Sequence, residues 1–227
     1  MTNDPNGFNT FKPLVSKESK YSWYVQDTRL PEFLCNEINE YFESTVTPRP
    51  GEDRGKIKDY RKVDARWCHT ADWVASFMWG YIDRINRENF EYDLTCLAFH
   101  EVHHLTYYPG YQYGWHQDDV LMTATRPGPV SWEGIDLLNQ EYVRKLSFSL
   151  QLSHPDEYTG GGVQLIEQPA TSWFMPKERG TLCVFDSRTT HRVLPIKTGV
   201  RKCLVGWALG PKWRLSLIHI SEPTRPY

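Results

Sequence analysis

The sequence predicts one α+β domain, in which two helices precede a β-sandwich or barrel. Two early segments carry apolar residues at helical spacing, whereas from Tyr92 onward short β-like runs alternate with turn residues such as Gly110, Gly180 and Gly199. Aromatic residues make up 14% of the chain, which favours a β-rich core. A chain of 227 residues can form one substantial core, and two small domains are not expected.

Both helices are predicted from the spacing of their apolar residues. The first covers LPEFLCNEINEYFESTV, with Pro31 in its first turn, and the second covers TADWVASFMWGYIDRINREN. The expected core faces are Leu30, Phe33, Leu34, Ile38 and Phe42 in the first helix, and Trp73, Phe77, Tyr81 and Ile85 in the second.

Strands are predicted at YSWYVQ (21–26), at RKVDARWC (61–68) and repeatedly after Tyr92. Residues 1–20 are polar, and we expect them to be loosely ordered. Residues 21–214 form the predicted domain, with its β core over residues 92–213. The last segment, LSLIHISEPTRPY (215–227), reads as the translation of a sequencing adapter, so it is excluded from the fold prediction.

Composition argues against several classes of protein. The formal charge of −2 provides no basic field for a nucleic-acid partner. No apolar run is long enough for a membrane span, and MTNDPNGFNT lacks the character of a signal peptide. Five cysteines without CxxC spacing favour neither a disulfide framework nor a zinc site. We therefore expect a cytoplasmic protein without a membrane partner.

A metal site is predicted from two histidines and a carboxylate. On an extended segment, the side chains of His116 and Asp118 point to the same face. Such an HxD step is common by chance, and its weight comes from His191, which follows another predicted strand. Together these residues make a two-histidine, one-carboxylate set, which binds iron(II) and leaves coordination positions open.

Arg201 indicates that an anionic cosubstrate binds at this metal site. It heads the strand RKCLVGWAL, where Cys203, Val205 and Trp207 share its face, so a buried guanidinium on this apolar wall needs an anion. 2-Oxoglutarate fits, because its keto acid end chelates iron and its distal carboxylate can accept two parallel hydrogen bonds from an arginine. O2 would take the remaining coordination position.

Three segments resemble a known family. They are YYPGYQYGWHQD (107–118), RKLSFSLQLSHPDEYTGGGVQL (144–165) and RGTLCVFDSRTTHRVLPIKTGVRKCLVGWALGPKW (179–213). They resemble the prolyl 4-hydroxylase-like catalytic domain of the iron(II)/2-oxoglutarate-dependent oxygenase superfamily, of the kind found in bacteriophages. The resemblance implies a double-stranded β-helix, or jelly-roll, with the metal at one mouth. For a viral protein, the expected location is the host cytoplasm.

The resemblance also implies roles for tyrosines. In the family pattern, Tyr107 donates a hydrogen bond to the distal carboxylate of 2-oxoglutarate, and Tyr113 lies toward the substrate. Tyr108 competes with Tyr107, because relatives vary by one residue before the glycine. Collagen-type members carry lysine where this chain has Arg201, and this departure weakens the case for a collagen-like substrate.

The polar face of KLSFSLQLS, formed by Ser147, Ser149 and Gln151, could line the cosubstrate pocket, and Gln151 is the predicted contact. The long segment before that strand, VLMTATRPGPVSWEGIDLLNQEYVR, is unusual for a compact domain. We expect it to act as a lid, with Trp132 and Arg126 contacting substrate.

Other residues have simpler predicted roles. His100, His103 and His104 are expected to be structural or solvent-facing and not metal ligands, since FHEVHH lacks HExxH spacing. The glycine triplet Gly160–Gly162 reads as a hairpin turn, because neither a Lys-Ser/Thr step nor a helix follows it. Asp186 could support the metal ligands from outside or serve the turn that follows it.

The predicted function is hydroxylation of a C–H bond, with release of succinate and carbon dioxide. The resemblance favours a prolyl or other side chain of a peptide or protein, and ascorbate as the reductant. An AlkB-like demethylase of nucleic-acid bases, a hydroxylase of free amino acids or metabolites, and a non-catalytic jelly-roll module are the alternatives. The oligomeric state is left open.

Overall fold

The computed structural model describes residues 23–28, 30–51, 60–68, 72–119, 121–122, 142–168 and 171–213. The segments 1–20 and 215–227, and the predicted lid contacts Trp132 and Arg126, lie outside these ranges. Neither helix within them combines the length and hydrophobicity that crossing a bilayer requires.

Two helices are present, as predicted, but each is rotated from its expected face. Helix α1 (Glu32–Thr45) and helix α2 (Trp73–Ile85) bury Ile38, Phe42 and Ile85 as expected, and a π-helical turn (Asn86–Phe90) follows α2. Phe33 and Trp73, predicted to be core residues, are 66% and 43% exposed. A strict spacing of four drifts by about 40° per step around a helix. Val74, Ala75, Met78 and Ile82 complete the buried face of α2.

The strands run through the whole described chain and pair antiparallel. They are β1 Trp23–Asp27, β2 Arg49–Pro50, β3 Arg61–Lys62, β4 Asp64–Cys68, β5 Cys96–Tyr107, β6 Gln112–His116, β7 Leu121–Met122, β8 Tyr142–Gln151, β9 Tyr158–Gly160, β10 Val163–Gln168, β11 Thr171–Phe174, β12 Thr181–Asp186, β13 His191–Val193, β14 Ile196–Gly199 and β15 Arg201–Pro211. The major sheet has the order β1-β12-β8-β15-β5-β4-β2, with β7 beside β8. The minor sheet has the order β11-β10-β13-β6-β3, and β14 pairs with β9.

Alternation along the strands produces two cores, one on each face of the major sheet. In β8, Leu146, Phe148 and Leu150 pack with the helices. In β12, Cys183 and Phe185 point the other way and pack with residues of the minor sheet. Helices therefore buttress one face of a two-sheet β core, which confirms the predicted α+β class.

The glycine triplet is a turn but not a hairpin, contrary to the prediction. Strand β9 pairs with β14, whereas β10 pairs with β11 and β13, so the triplet carries the chain from one sheet to another. Gly161 has a φ of +59°, and a Cβ there would lie 2.2 Å from Ile196 Cδ1 and 3.3 Å from Arg201 Cδ. Glycine is needed at this position because φ is positive and because a Cβ would overlap the Ile196 side chain.

His104 docks α1 onto the major sheet, which is the structural one of the two roles predicted for it. Its Nε2 lies 2.9 Å from Asn39 Oδ1, and its ring stacks on Phe42 at 5.3 Å. Burial, followed by the charges of Arg66 and Lys202, lowers the pKa of His104 from its ordinary value of 6.5 to about 3. The ring is therefore neutral in the folded protein under most conditions.

This pKa predicts a loss of stability in acid that His104→Gln should reduce. Below pH 6.5 His104 becomes protonated in the unfolded chain, whereas in the folded protein it stays neutral down to about pH 3. The free energy of unfolding should fall by about 1.4 kcal/mol per pH unit across that window. Urea titrations of both proteins at pH 7, 5.5 and 4.5 should show the smaller decrease in the variant. Parallel pH profiles would contradict this assignment.

Candidate active site

The register of the minor sheet brings the two predicted histidine ligands together. His191 on β13 lies directly opposite His116 on β6, and their ring centroids are 4.1 Å apart. Asp118 follows two residues after His116, just beyond the end of the strand. One ligand atom from each of the three side chains lies within 4.8 Å of the other two. The structure thus gathers the predicted set in a geometry that could hold a metal ion.

Backbone carbonyl groups orient both imidazole rings. Nδ1 of His116 lies 2.7 Å from the carbonyl oxygen of Gly114, and Nδ1 of His191 lies 3.0 Å from that of Thr189. A carbonyl oxygen only accepts, so each Nδ1 carries a proton, and in a neutral ring this tautomer leaves the lone pair on Nε2. Those Nε2 atoms face Asp118, at 3.6 Å from His116 and 3.5 Å from His191.

Asp118 is buried and held from two sides. Ser147 Oγ donates to its Oδ2 at 2.8 Å, and its backbone N–H donates to the carbonyl oxygen of Ser187 at 2.8 Å. Burial acts to raise the pKa of Asp118, but His191 and His116 outweigh it and hold the pKa below its usual range. Burial and the neighbouring His191 lower the pKa of His116 to about 4. Near neutral pH, an ionised carboxylate therefore faces neutral imidazole, as metal binding requires.

Asp186 fixes the turn that supports these ligands. Its carboxylate accepts hydrogen bonds from the backbone N–H and Nε of Arg188, at 2.8 and 2.9 Å, and from Tyr92 Oη at 2.6 Å. The turn that it stabilises supplies the carbonyl groups of Ser187 and Thr189, which bind Asp118 and His191. Of the two predicted roles, Asp186 has that of a turn residue and acts on the ligands indirectly.

A pocket opens beside the three residues, between the two sheets. Its lining is Arg61, Leu105, Tyr107, Tyr113, His116, Asp118, Phe148, Ser149, Val163, Phe185, His191, Val193, Arg201, Cys203, Val205 and Trp207. Arg201, Cys203, Val205 and Trp207 share one strand face there, as the alternation of β15 predicts. The pocket thus has an apolar wall that carries one guanidinium.

Arg201 has donors available for an anion. The side chain is 1% exposed, and its Nε donates to Gln151 Oε1 at 3.2 Å. Nη1 and Nη2 are buried and have no hydrogen-bond partner among the described residues. Burying donors without partners is costly, so a planar anion that accepts two parallel hydrogen bonds fits this position.

Tyr107, Tyr108 and Tyr113 differ in their exposure and in their position relative to the pocket. Tyr107 is 1% exposed, lines the pocket, and has its ring 5.5 Å from Arg201 Cζ. Tyr108 is 38% exposed and lies outside the lining. Tyr113 stacks on His116, with ring centroids 3.5 Å apart and planes at 17°. The geometry therefore favours Tyr107 over Tyr108 and places Tyr113 beside the metal ligands.

Gln151, the predicted cosubstrate contact, has Arg201 as its polar partner in the structure. It lies behind Arg201 and outside the pocket lining, so the structure supports positioning of the guanidinium and not direct contact with a cosubstrate. Sequence reasoning also missed Arg61, whose Cζ lies 5.0 Å from the Tyr113 ring in the pocket wall. Arg61 sits on the two-residue strand β3, far from the HxD step in sequence, so no local pattern marks it.

Residues 102–209 match the family model described as the 2OG-Fe(II) oxygenase superfamily. This region is similar to a 2OG-Fe(II) oxygenase domain. A PKHD-type hydroxylase from Parvibaculum lavamentivorans is 36% identical over 101 residues, which cover 44% of this chain and 38% of the relative. The match therefore spans about two fifths of the length of that curated relative.

Solved structures confirm the jelly-roll fold of the oxygenase domain. A Pseudomonas putida prolyl-4-hydroxylase superposes with a TM-score of 0.58 at 20% identity, covering 85% of this chain and 94% of that one. A Trichoplax adhaerens prolyl hydroxylase, solved with a peptide fragment of hypoxia inducible factor, superposes with a TM-score of 0.59 at 17% identity, covering 83% and 84%. The oxygenase family implies iron(II) and 2-oxoglutarate, and the donor set and the buried Arg201 fit both.

Proposed function

We propose that this chain is an iron(II)- and 2-oxoglutarate-dependent dioxygenase that hydroxylates a C–H bond and releases succinate and carbon dioxide. One observation carries the proposal: a convergent set of two imidazoles and a carboxylate shares a pocket with a buried guanidinium whose Nη1 and Nη2 have no hydrogen-bond partner among the described residues. We further propose residues 21–214 as a single catalytic domain.

Different residues of the chain would bind the metal and the cosubstrate. His116, Asp118 and His191 would hold iron(II), while Arg201 and Tyr107 would bind the distal carboxylate of 2-oxoglutarate. When bound, the metal and 2-oxoglutarate supply the oxidising chemistry with O2. Apolar side chains in the pocket lining would exclude water, and Phe185 packs against His191 at 4.8 Å, which limits rotation of that ring.

A peptide or protein side chain, with proline favoured, is the proposed substrate. The support comes from the structural relatives, one of which is a prolyl-4-hydroxylase and another a prolyl hydroxylase bound to a peptide. We propose ascorbate as the reductant that keeps the iron in the iron(II) state between turnovers.

Succinate release tests the proposed function directly. Purified protein supplied with iron(II), ascorbate, 2-oxoglutarate and O2 should release succinate slowly without substrate, in equal amount to the carbon dioxide formed. Omission of iron or O2 should stop the release. Absence of both succinate release and iron(II) binding in the complete mixture would contradict the proposal.

A further inference from the structure

The floor of the pocket continues across the major sheet toward solvent. Val205, in the pocket lining, lies opposite His103 on β5, which in turn lies opposite Trp67 on β4. The His103 and Trp67 rings stack at 5.1 Å with planes at 13°, and His103 meets the edge of Trp207 at 5.2 Å. Trp67 is 38% exposed. A row of aromatic rings, with His103 buried in its middle, therefore leads from the pocket wall to an exposed surface at Trp67.

A cation lies at the outer end of this surface. The neighbouring row of the sheet runs from Leu105, in the pocket lining, through Ala65 to Arg49 on β2. Arg49 is exposed, and its Cζ lies 5.5 Å from the centroid of the Trp67 ring. No carboxylate among the described residues forms an ion pair with it. An arginine held over an indole keeps its donors free for a planar anion.

We propose that Trp67 and Arg49 bind the substrate beside its reacting residue, and that the substrate is a peptide with an acidic side chain at this point. This inference rests on the proposed function. Two strand spacings of about 4.8 Å separate Val205 from Trp67, so the two lie about 10 Å apart. An extended peptide covers that distance in about three residues. With the hydroxylated residue against Val205 in the pocket, the acidic side chain should therefore lie about three positions away.

A peptide fits this surface better than a nucleic-acid strand. Base stacking could use Trp67, but strand binding also needs a groove of cations that follows successive phosphates. Here one guanidinium stands over the exposed ring, and the whole chain carries a net charge of −2. One carboxylate meeting one arginine matches this arrangement.

Labelled peptides test the assignment on the full chain loaded with iron(II) and 2-oxoglutarate under anaerobic conditions. Three peptides share a central proline and differ only at the positions three residues before and three residues after it. One peptide carries Glu at both positions, one carries Gln and one carries Lys. Fluorescence anisotropy should show the Glu peptide binding about tenfold more tightly than the Gln peptide. Arg49→Gln should remove that preference, Arg49→Glu should transfer it to the Lys peptide, and Trp67→Ala should weaken all three.

Controls separate this inference from the proposed function. Lys62 lies on β3, with its Nζ over the Tyr111 ring, and Lys62→Gln should leave the preference intact. Succinate release without peptide should be unchanged in the Arg49 and Trp67 variants, since neither residue lines the pocket. Three results would overturn the inference alone if succinate release is normal. They are equal binding of the three peptides, no peptide binding, and tighter binding of an oligothymidine. Absence of succinate release from the wild-type protein would overturn the proposed function.

Discussion

Asp118→Ala should abolish iron(II) binding, whereas Asp119→Ala should leave it intact. The two carboxylates are adjacent in sequence, but Asp118 is buried among the Nε2 atoms of His116 and His191, and Asp119 is exposed. Loss of an outer partner of a metal ligand typically costs 10–100-fold in affinity. Loss of the ligand itself should therefore raise the dissociation constant by more than about a hundredfold. Anaerobic titration with iron(II), or with cobalt(II) followed by absorbance, measures the effect.

The same pair of variants shows whether the loss is local. Asp118→Ala leaves the His116 imidazole neutral, because the pKa of His116 is about 4, so this ring does not become an unpaired buried charge. Ser147 Oγ keeps Ser187 Oγ as a partner at 3.0 Å. The metal-free variant should therefore melt near the wild-type temperature. Metal at a hundredfold excess over its dissociation constant should stabilise wild type and Asp119→Ala by about 2.7 kcal/mol, and Asp118→Ala hardly at all. Equal metal-induced shifts in all three would contradict the assigned ligand.

Much of this site could be predicted from sequence because its spacing is short or its order is distinctive. His116 and Asp118 share a face by strand alternation alone. Their partner His191 came from sequence order and resemblance, and the structure adds the register that places it directly opposite His116. Register depends on long-range pairing of β6 with β13, which no local pattern specifies.

The features that sequence reasoning missed depend on contacts between distant strands. Arg61 reaches the pocket only because β3 pairs with β6. Gln151 was placed on the correct strand face, but its contact with Arg201 follows from the pairing of β8 with β15. The error at Phe33 and Trp73 has a different origin. Spacing alone does not say which side of a broad apolar stripe meets the sheet.

Arg201→Met should weaken 2-oxoglutarate binding about a hundredfold, and Arg201→Lys about tenfold. The methionine removes two charge-assisted hydrogen bonds, worth about 3 kcal/mol together, and the lysine keeps the charge without the planar fork. Arg192→Met is the matched control, because Arg192 adjoins His191 but donates to Gln164 at 2.8 Å and stacks over Trp115. Isothermal titration of the anaerobic, metal-loaded proteins gives the affinities.

A truncated cosubstrate assigns the effect to the distal carboxylate. 2-Oxobutyrate keeps the chelating keto acid and lacks that carboxylate, so it should bind equally to wild type and to Arg201→Met. Without ligand, the variant should be at least as stable as wild type, since methionine replaces a buried guanidinium whose Nη1 and Nη2 have no partner among the described residues. Unchanged stability with a selective loss of 2-oxoglutarate affinity means that Arg201 serves cosubstrate binding. A variant that unfolds, or that loses 2-oxobutyrate equally, would instead make Arg201 a structural residue of the jelly-roll.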